Sequence, residues 1–232
     1  MQEDKIIDRF IKAINRGMFH SQEKLPSENS LSAIYQVPRI VARQVYEKLD
    51  AMGYTYSIQG KGRYVKEQRR KIELVLSGNE SFTDKVTSDG HQLESRNVFC
   101  KKIQGNEKVY TELAADHNVA VYKIGRLRMI DGKPVAVHIS YVSQAVFPAI
   151  DQDGPEILSM FDYYRSKGFS NFQSGRSILG IAYPDEKERK LLQCDSLMPL
   201  LVIETACMDG DSKKVLEYTR IKYRSDCFYY VM

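Results

Sequence analysis

The stretch from Leu25 to Val65, LPSENSLSAIYQVPRIVARQVYEKLDAMGYTYSIQGKGRYV, decides the fold of the amino-terminal third. It reads as helix, tight turn, helix and a glycine-tipped hairpin. Ser27 can cap a first helix, and Glu28 then falls in its positive first turn. Leu31 and Ile34 are expected to bury one face. A second helix starts at Val37-Pro38, because proline is tolerated where the first turn needs no amide donor. Val41, Val45, Leu49 and Met52 recur at helical spacing and predict its buried stripe, and Gly53 ends it. Tyr54 to Gln59 and Arg63 to Val65 then predict two short strands around Gly60-Lys61-Gly62.

Arg39 and Arg43, four residues apart, share the exposed face of the second helix, with Gln44 beside them. An arginine on a helix in the major groove can bridge the two acceptors of guanine, and a glutamine can do the same for adenine. A solitary helix would make Arg43 a mere partner of Glu47. With a second helix and a basic hairpin beside it, the pattern is that of a module reading duplex DNA. The tip Gly60-Lys61-Gly62 can lay backbone and one cation against phosphate or the minor groove.

Charge divides the chain at the same place. Residues 1–71 hold 14 Lys and Arg against 8 Asp and Glu, whereas the other 161 residues hold 20 against 22. The basic excess therefore sits where a phosphate-binding surface is expected. The first helix, with Ile6, Ile7, Phe10, Ile11 and Ile14 against Asp4, Asp8, Lys12 and Arg16, is mixed in charge, which fits core packing rather than a membrane surface. No segment approaches a bilayer span and the amino terminus has no signal-peptide pattern, so a cytoplasmic location without membrane contact is expected. Cys100, Cys194, Cys207 and Cys227 are scattered and read as reduced thiols. His20, His91, His117 and His138 form no cluster, and neither metal nor cofactor is expected.

The motifs LPSE, Pro38-Arg39, Val41-Ala42-Arg43-Gln44, Leu49, Gly53 and Gly60-Lys61-Gly62 resemble the winged helix-turn-helix of GntR-type bacterial transcription regulators, over roughly the first seventy residues. That resemblance implies DNA contacts from Ser27, Arg39, Arg43, Gln44, Gly60, Lys61 and Gly62. Two departures stand out: Asn29 replaces the usual arginine, and Pro38 and Val41 replace serine or threonine. Phosphate-contacting groups are thereby lost at Asn29 and Val41.

The run KEQRRK over Lys66–Lys71 opens a linker, giving a DNA-binding domain over 1–67, a linker over 68–80 and a second domain over 81–232. Ala120–Ile130 and Val135–Val142 flank Asp131-Gly132-Lys133-Pro134, a hairpin signal. Pro199–Met208 and Val215–Tyr223 repeat it around Asp209-Gly210-Asp211. Helical stretches are predicted over Glu107–Ala115, Pro155–Ser166 and Asp185–Gln193. Hairpins interspersed with helices predict an α+β domain with a mainly antiparallel sheet.

This region resembles the UTRA domain, the effector-binding module of the HutC subfamily, with a chorismate-lyase-like fold. The resemblance rests on Ser81-Phe82, Tyr122 to Arg128, Asp131-Gly132, Ser140-Tyr141-Val142, Phe147-Pro148, Glu217-Tyr218-Thr219-Arg220 and Tyr223-Arg224. Strand geometry alone puts Arg126 and Arg128 on one side of the sheet, and Glu217, Thr219 and Tyr223 on one face. Paired guanidinium groups suit a phosphate or carboxylate, although solvated arginines matched to acids give the same pattern. The resemblance implies that Arg126, Arg128 and Ser81 hold an effector anion, with Ser174 contributing. It also implies that Glu217 and Tyr223 meet the other end. His138 replaces the glutamate of amino-sugar-binding members, which disfavours an ammonium ligand and leaves neutral sugar phosphates or other small anions.

The expected function is a ligand-responsive regulator, a repressor binding a palindromic operator as a homodimer and released by a small anionic metabolite. Two alternatives are an enzyme with a chorismate-lyase-like domain and an architectural DNA binder without effector. No Ser/His/Asp, Cys/His or paired-carboxylate arrangement supports the first.

Overall fold

The computed structural model describes residues 2–67, 72–75, 82, 86 and 91–231. The chain divides into two compact units. The first holds residues 1–70 with Tyr183–Arg189 and Gln193–Met198, and the second holds Lys71–Ala182, Lys190–Leu192 and Pro199–Met232.

In the first unit, α1 (Gln2–Asn15) buries Ile6, Ile7, Phe10 and Ile14, as its apolar spacing predicts. The Ser30 amide donates to the Ser27 hydroxyl at 3.1 Å and so starts α2 (Glu28–Tyr35). Only Leu31 of α2 is buried, and Ile34 is 64% exposed, contrary to the sequence reading. The helix is two turns long, and Leu25 and Val37 at its flanks fill the core instead. Pro38 precedes α3 (Arg39–Ala51), whose buried stripe is Ala42, Val45, Tyr46 and Leu49. Val41 and Met52 are only partly buried, because the stripe runs one position further round the helix than expected. Gly53, with φ +80°, ends α3, and Tyr54 N–H donates to the Leu49 carbonyl at 2.9 Å. β1 (Thr55–Ile58) and β2 (Gly62–Val65) form the antiparallel hairpin, with Ser57 opposite Arg63.

In the second unit, β3 (Ile72–Val75) pairs in parallel with β11 (Phe228–Val231). The main sheet is antiparallel, in the order β4 (Leu93–Ile103), β5 (Val121–Ile130), β6 (Lys133–Ser143), β10 (Val215–Arg224), β9 (Leu200–Asp209) and β7 (Phe172–Ser174), with β8 (Ile178–Ala182) also on β9. Both expected hairpins form. Asp131 and Gly132 both adopt positive φ, the conformation of a two-residue turn joining twisted strands.

The helices are shorter than the sequence suggests. α4 (Glu107–Glu112) stops early because Ala114 turns left-handed. The stretch expected as one helix over 155–166 is broken. After α5 (Ile150–Asp153), a 3₁₀ turn (Gly154–Glu156) leads to extended Ile157, and Ser159 caps α6 (Met160–Ser166). α7 (Glu186–Leu192) starts with the reciprocal Asp185–Glu188 capping box. Two apolar clusters lie along the unit. One is built on Ile124, Phe147, Met160 and Tyr164, and the other on Ile130, Ile203, Tyr223 and Phe228.

Candidate functional site

In the first unit a cleft of about 490 Å³ opens between the start of α2, the start of α3 and the hairpin tip. It brings together Ser27, Arg39, Gly60, Lys61 and Gly62 of the expected DNA-contacting set. Arg43 and Gln44 lie further along α3, outside the cleft and exposed. Arg39 Nε reaches Glu28 at 3.3 Å, and Arg43 Nε donates to Glu47 at 2.8 Å. Both pairs are exposed, so both guanidinium groups can exchange these carboxylates for phosphate or base edges at little cost. Lys24 and Arg63 also line the cleft and were not singled out by the sequence. Lys24 pairs across to Tyr64, and that antiparallel bridge is the signal that its own neighbourhood lacks.

In the second unit the alternation Ile124, Arg126, Arg128, Ile130 along β5 places two arginines on one face between the two apolar clusters. They are not solvated: Arg126 is 3% exposed and Arg128 is 4% exposed. Register then assembles the rest. His138 on β6 lies opposite Arg126, Ala136 lies opposite Arg128, and on β10 Thr219 and Tyr223 continue the rows from Ser140 and Ala136. His138, Glu217 and Tyr223 are buried with them.

Arg126 Nη2 donates to Ser140 Oγ at 2.7 Å. Arg128 Nη1 donates to Ser95 Oγ and, at 3.1 Å, to the Leu158 carbonyl. Among the described residues, both Nε atoms, His138 Nε2 and Glu217 Oε2 are buried without a hydrogen-bond partner. A folded protein rarely leaves so many orphaned polar atoms in one place unless a ligand completes them.

Electrostatics agree. Burial pulls the Arg126 guanidinium below its ordinary range, against the opposing charge of Glu217. Burial and then the neighbouring Arg126 charge pull Arg128 down to about 9, which leaves it protonated at neutral pH. Burial, Arg128 and Arg126 hold His138 well below 6.5, so its imidazole is neutral. Two cations facing one buried acid make a buried cluster short of negative charge.

Phe82 covers this face. Its ring lies 5.0 Å from the His138 ring and 5.7 Å from the Tyr223 ring, and Arg128 Cζ stands 5.9 Å from its centroid. Tyr164 approaches from α6, where burial and the Glu217 charge push its hydroxyl well above its ordinary value. Sequence reasoning missed Ser95, Ser140 and Tyr164 as parts of the site. Ser140 was within reach of the two-residue rule, since it follows His138 on the same face. Ser81 lies outside the described residues. Ser174 pairs with Cys207, itself opposite Glu217, yet it is exposed at the short strand β7 and does not join the buried cluster. Among the described residues no helix is long and apolar enough to cross a membrane.

Known proteins match both units. Residues 2–65 match the family described as bacterial regulatory proteins, gntR family, and residues 88–229 match the UTRA domain. The chain is 26% identical over 227 residues to the HTH-type transcriptional regulator GgaR of Escherichia coli K12, covering 98% of this chain and 88% of the relative. It is 25% identical over 207 residues to a protein of the same strain named "Probable fructoselysine utilization operon transcriptional repressor", covering 89% and 84%. The fold is similar to that of PhnF from Mycobacterium smegmatis, with a TM-score of 0.64 and 22% identity over 98% of this chain and 95% of that one. These relatives are DNA-binding regulators rather than enzymes. A winged helix-turn-helix head followed by an effector-binding sheet domain places the chain in the GntR family of bacterial transcription regulators, in its UTRA-bearing HutC subfamily.

Proposed function

We propose that this regulator is a repressor that binds a palindromic operator as a homodimer and leaves it when a small anion occupies the UTRA domain. The division is a DNA-binding head over 1–67, a linker over 68–80 and an effector domain over 81–232. Arg39, Arg43 and Gln44 face the major groove, while Ser27 and the tip Gly60-Lys61-Gly62 meet the backbone. Arg126 and Arg128 take the anionic group of the effector, with Ser81 beside it. His138, Glu217 and Tyr223 take the remainder. A neutral imidazole offers no charge to an ammonium group, which favours a phosphorylated neutral sugar or a similar small anion. A cytoplasmic location goes with this role.

The observation that carries this reading is the pair of buried guanidinium groups whose Nε atoms have no partner among the described residues. The fructoselysine repressor, a relative by sequence, supports the repressor sign. Effector and operator oppose one another reciprocally, with a coupling on the order of 1 to 3 kcal/mol. Fluorescence anisotropy on duplex DNA from upstream of the protein's own gene, at fixed salt and with a panel of sugar phosphates and small anions, tests it. One compound that weakens binding supports the reading. A compound that tightens binding reverses the sign, and binding indifferent to every anion removes the effector claim.

A further inference from the structure

We propose that Arg63 is a positioning residue of the head, fixing the hairpin to α3 and to the turn before α2 while touching no phosphate itself. The inference rests on the reading that the hairpin tip and α3 engage DNA together.

Arg63 follows the tip glycine Gly62, and its side chain turns inward, leaving 16% of it exposed. Nη1 stands 2.9 Å from Asp50 Oδ2 on α3, as an ion pair whose N–H is not aimed along a hydrogen bond. The other Asp50 oxygen accepts from the Thr55 hydroxyl on β1. The Arg63 guanidinium also lies 4.9 Å over the ring of Tyr46, which is 1% exposed. The Tyr46 hydroxyl in turn donates to the Pro26 carbonyl at 2.6 Å, beside the cap Ser27. The Arg63 carbonyl accepts from the Leu25 amide at 2.8 Å.

The guanidinium therefore ties β2 to α3, and its two partners there, Asp50 and Tyr46, tie α3 on to β1 and to the turn before α2. Those pieces carry the groups on both sides of the cleft, Ser27 and Arg39 on one and Lys61 on the other. A flat, forked cation can stack and ion-pair at once, and lysine can do only the second well. Because Asp50 already occupies its charge, Arg63 sets the distance between the tip and the helix rather than neutralising DNA.

Salt dependence separates the two roles, since each lost phosphate contact reduces the slope of log affinity against log salt by about one. The probe is a duplex enriched from a randomised pool on the unsubstituted full chain, with binding followed by anisotropy from low to moderate salt. Lys61→Ala is expected to reduce the slope by about one. Arg63→Met and Asp50→Asn are expected to weaken binding about tenfold with the slope unchanged, and Arg63→Lys is expected to recover part of the loss. Asp50→Asn keeps the shape of the side chain, and thermal melting identifies any variant that fails to fold. A slope reduced by about one in Arg63→Met would make Arg63 a phosphate contact and overturn the proposal, as would unchanged affinity in both folded variants. If Lys61→Ala changes neither affinity nor slope, the hairpin tip is not at the DNA, and the underlying reading falls together with the positioning role.

Discussion

Arg43 on α3 donates from Nε to the Glu47 carboxylate at 2.8 Å, one turn further along the same helix. The pair is exposed on both sides, so Glu47 holds the arginine only loosely and can surrender it to a guanine edge. Arg43→Ala is expected to reduce discrimination between operator and scrambled duplex by roughly five- to a hundredfold. Competition binding with the two duplexes at one salt concentration checks this. An equal loss on both duplexes would make Arg43 a phosphate contact instead.

Glu47 itself carries a negative charge on the helix face that is proposed to meet DNA. Glu47→Ala is expected to tighten binding to any duplex by about two- to fivefold, most strongly at low salt, because a repulsion of that kind is screened as ionic strength rises. The measurement is affinity for a non-specific duplex at several salt concentrations. Looser binding would show that Glu47 aims Arg43 rather than competing for it.

Arg128 illustrates the cost of burying a charge. Its guanidinium is buried beside that of Arg126, and neither Nε has a hydrogen-bond partner among the described residues. Burying an ion costs several kcal/mol that only good partners offset, and Arg128 faces the like charge of Arg126. Arg128→Met is therefore expected to raise the thermal midpoint of the ligand-free protein while abolishing any stabilisation by inorganic phosphate. A lowered midpoint would mean that the bonds to Ser95 and the Leu158 carbonyl outweigh the burial of charge.

The head was legible in the sequence because its signals are local. Ser27 caps, Gly53 stops and Gly60 turns within a few residues of the elements that they punctuate. The Asp131-Gly132 hairpin is legible for the same reason. β4 escaped notice because a register shift between Asn97 and Phe99 breaks its alternation in the middle. Burial of Arg126 and Arg128 escaped as well, since the period of a strand assigns faces but not depth, and β5 is covered on both faces from Ile124 to Ile130. Tyr164 comes from elsewhere in the chain, and nothing near it in sequence marks it as a wall of that site, whereas Phe82 follows Ser81, which the resemblance had marked. Ser174 shows the opposite failure, because the register connects it to Glu217 but a three-residue strand leaves it in the open.

Asn97 ties the loop over the site to β4. Its amide donates to the carbonyls of Gly154 at 2.8 Å and Ile157 at 3.1 Å, just before the Leu158 carbonyl that receives Arg128. Asn97→Ala leaves both carbonyls without this donor and is expected to cost about 1 to 3 kcal/mol. Urea unfolding should show a lower midpoint with an unchanged slope. An unchanged midpoint would mean that water replaces the amide without loss, and the loop would then owe its position to the apolar contacts of Ile157 and Met160.

His138 makes acid stability a property of the proposed effector site. Burial first, then Arg128 and Arg126, hold it neutral well below 6.5 in the folded chain, whereas the unfolded chain takes up a proton near 6.5. Between those two values the unfolded state binds more protons, so the contribution of His138 to stability is fully present above about 6.5. It is lost as the pH falls, at up to about 1.4 kcal/mol per pH unit. Urea unfolding between pH 5 and 7 should show the wild type losing stability with acidification more steeply than His138→Asn. Two of the three causes of the depression are the guanidinium charges that a bound anion would offset. Saturating sulfate, which does not itself titrate in this range, should therefore make the wild-type slope shallower and leave the variant unchanged. A wild-type slope that sulfate does not alter would place the anion away from Arg126 and Arg128.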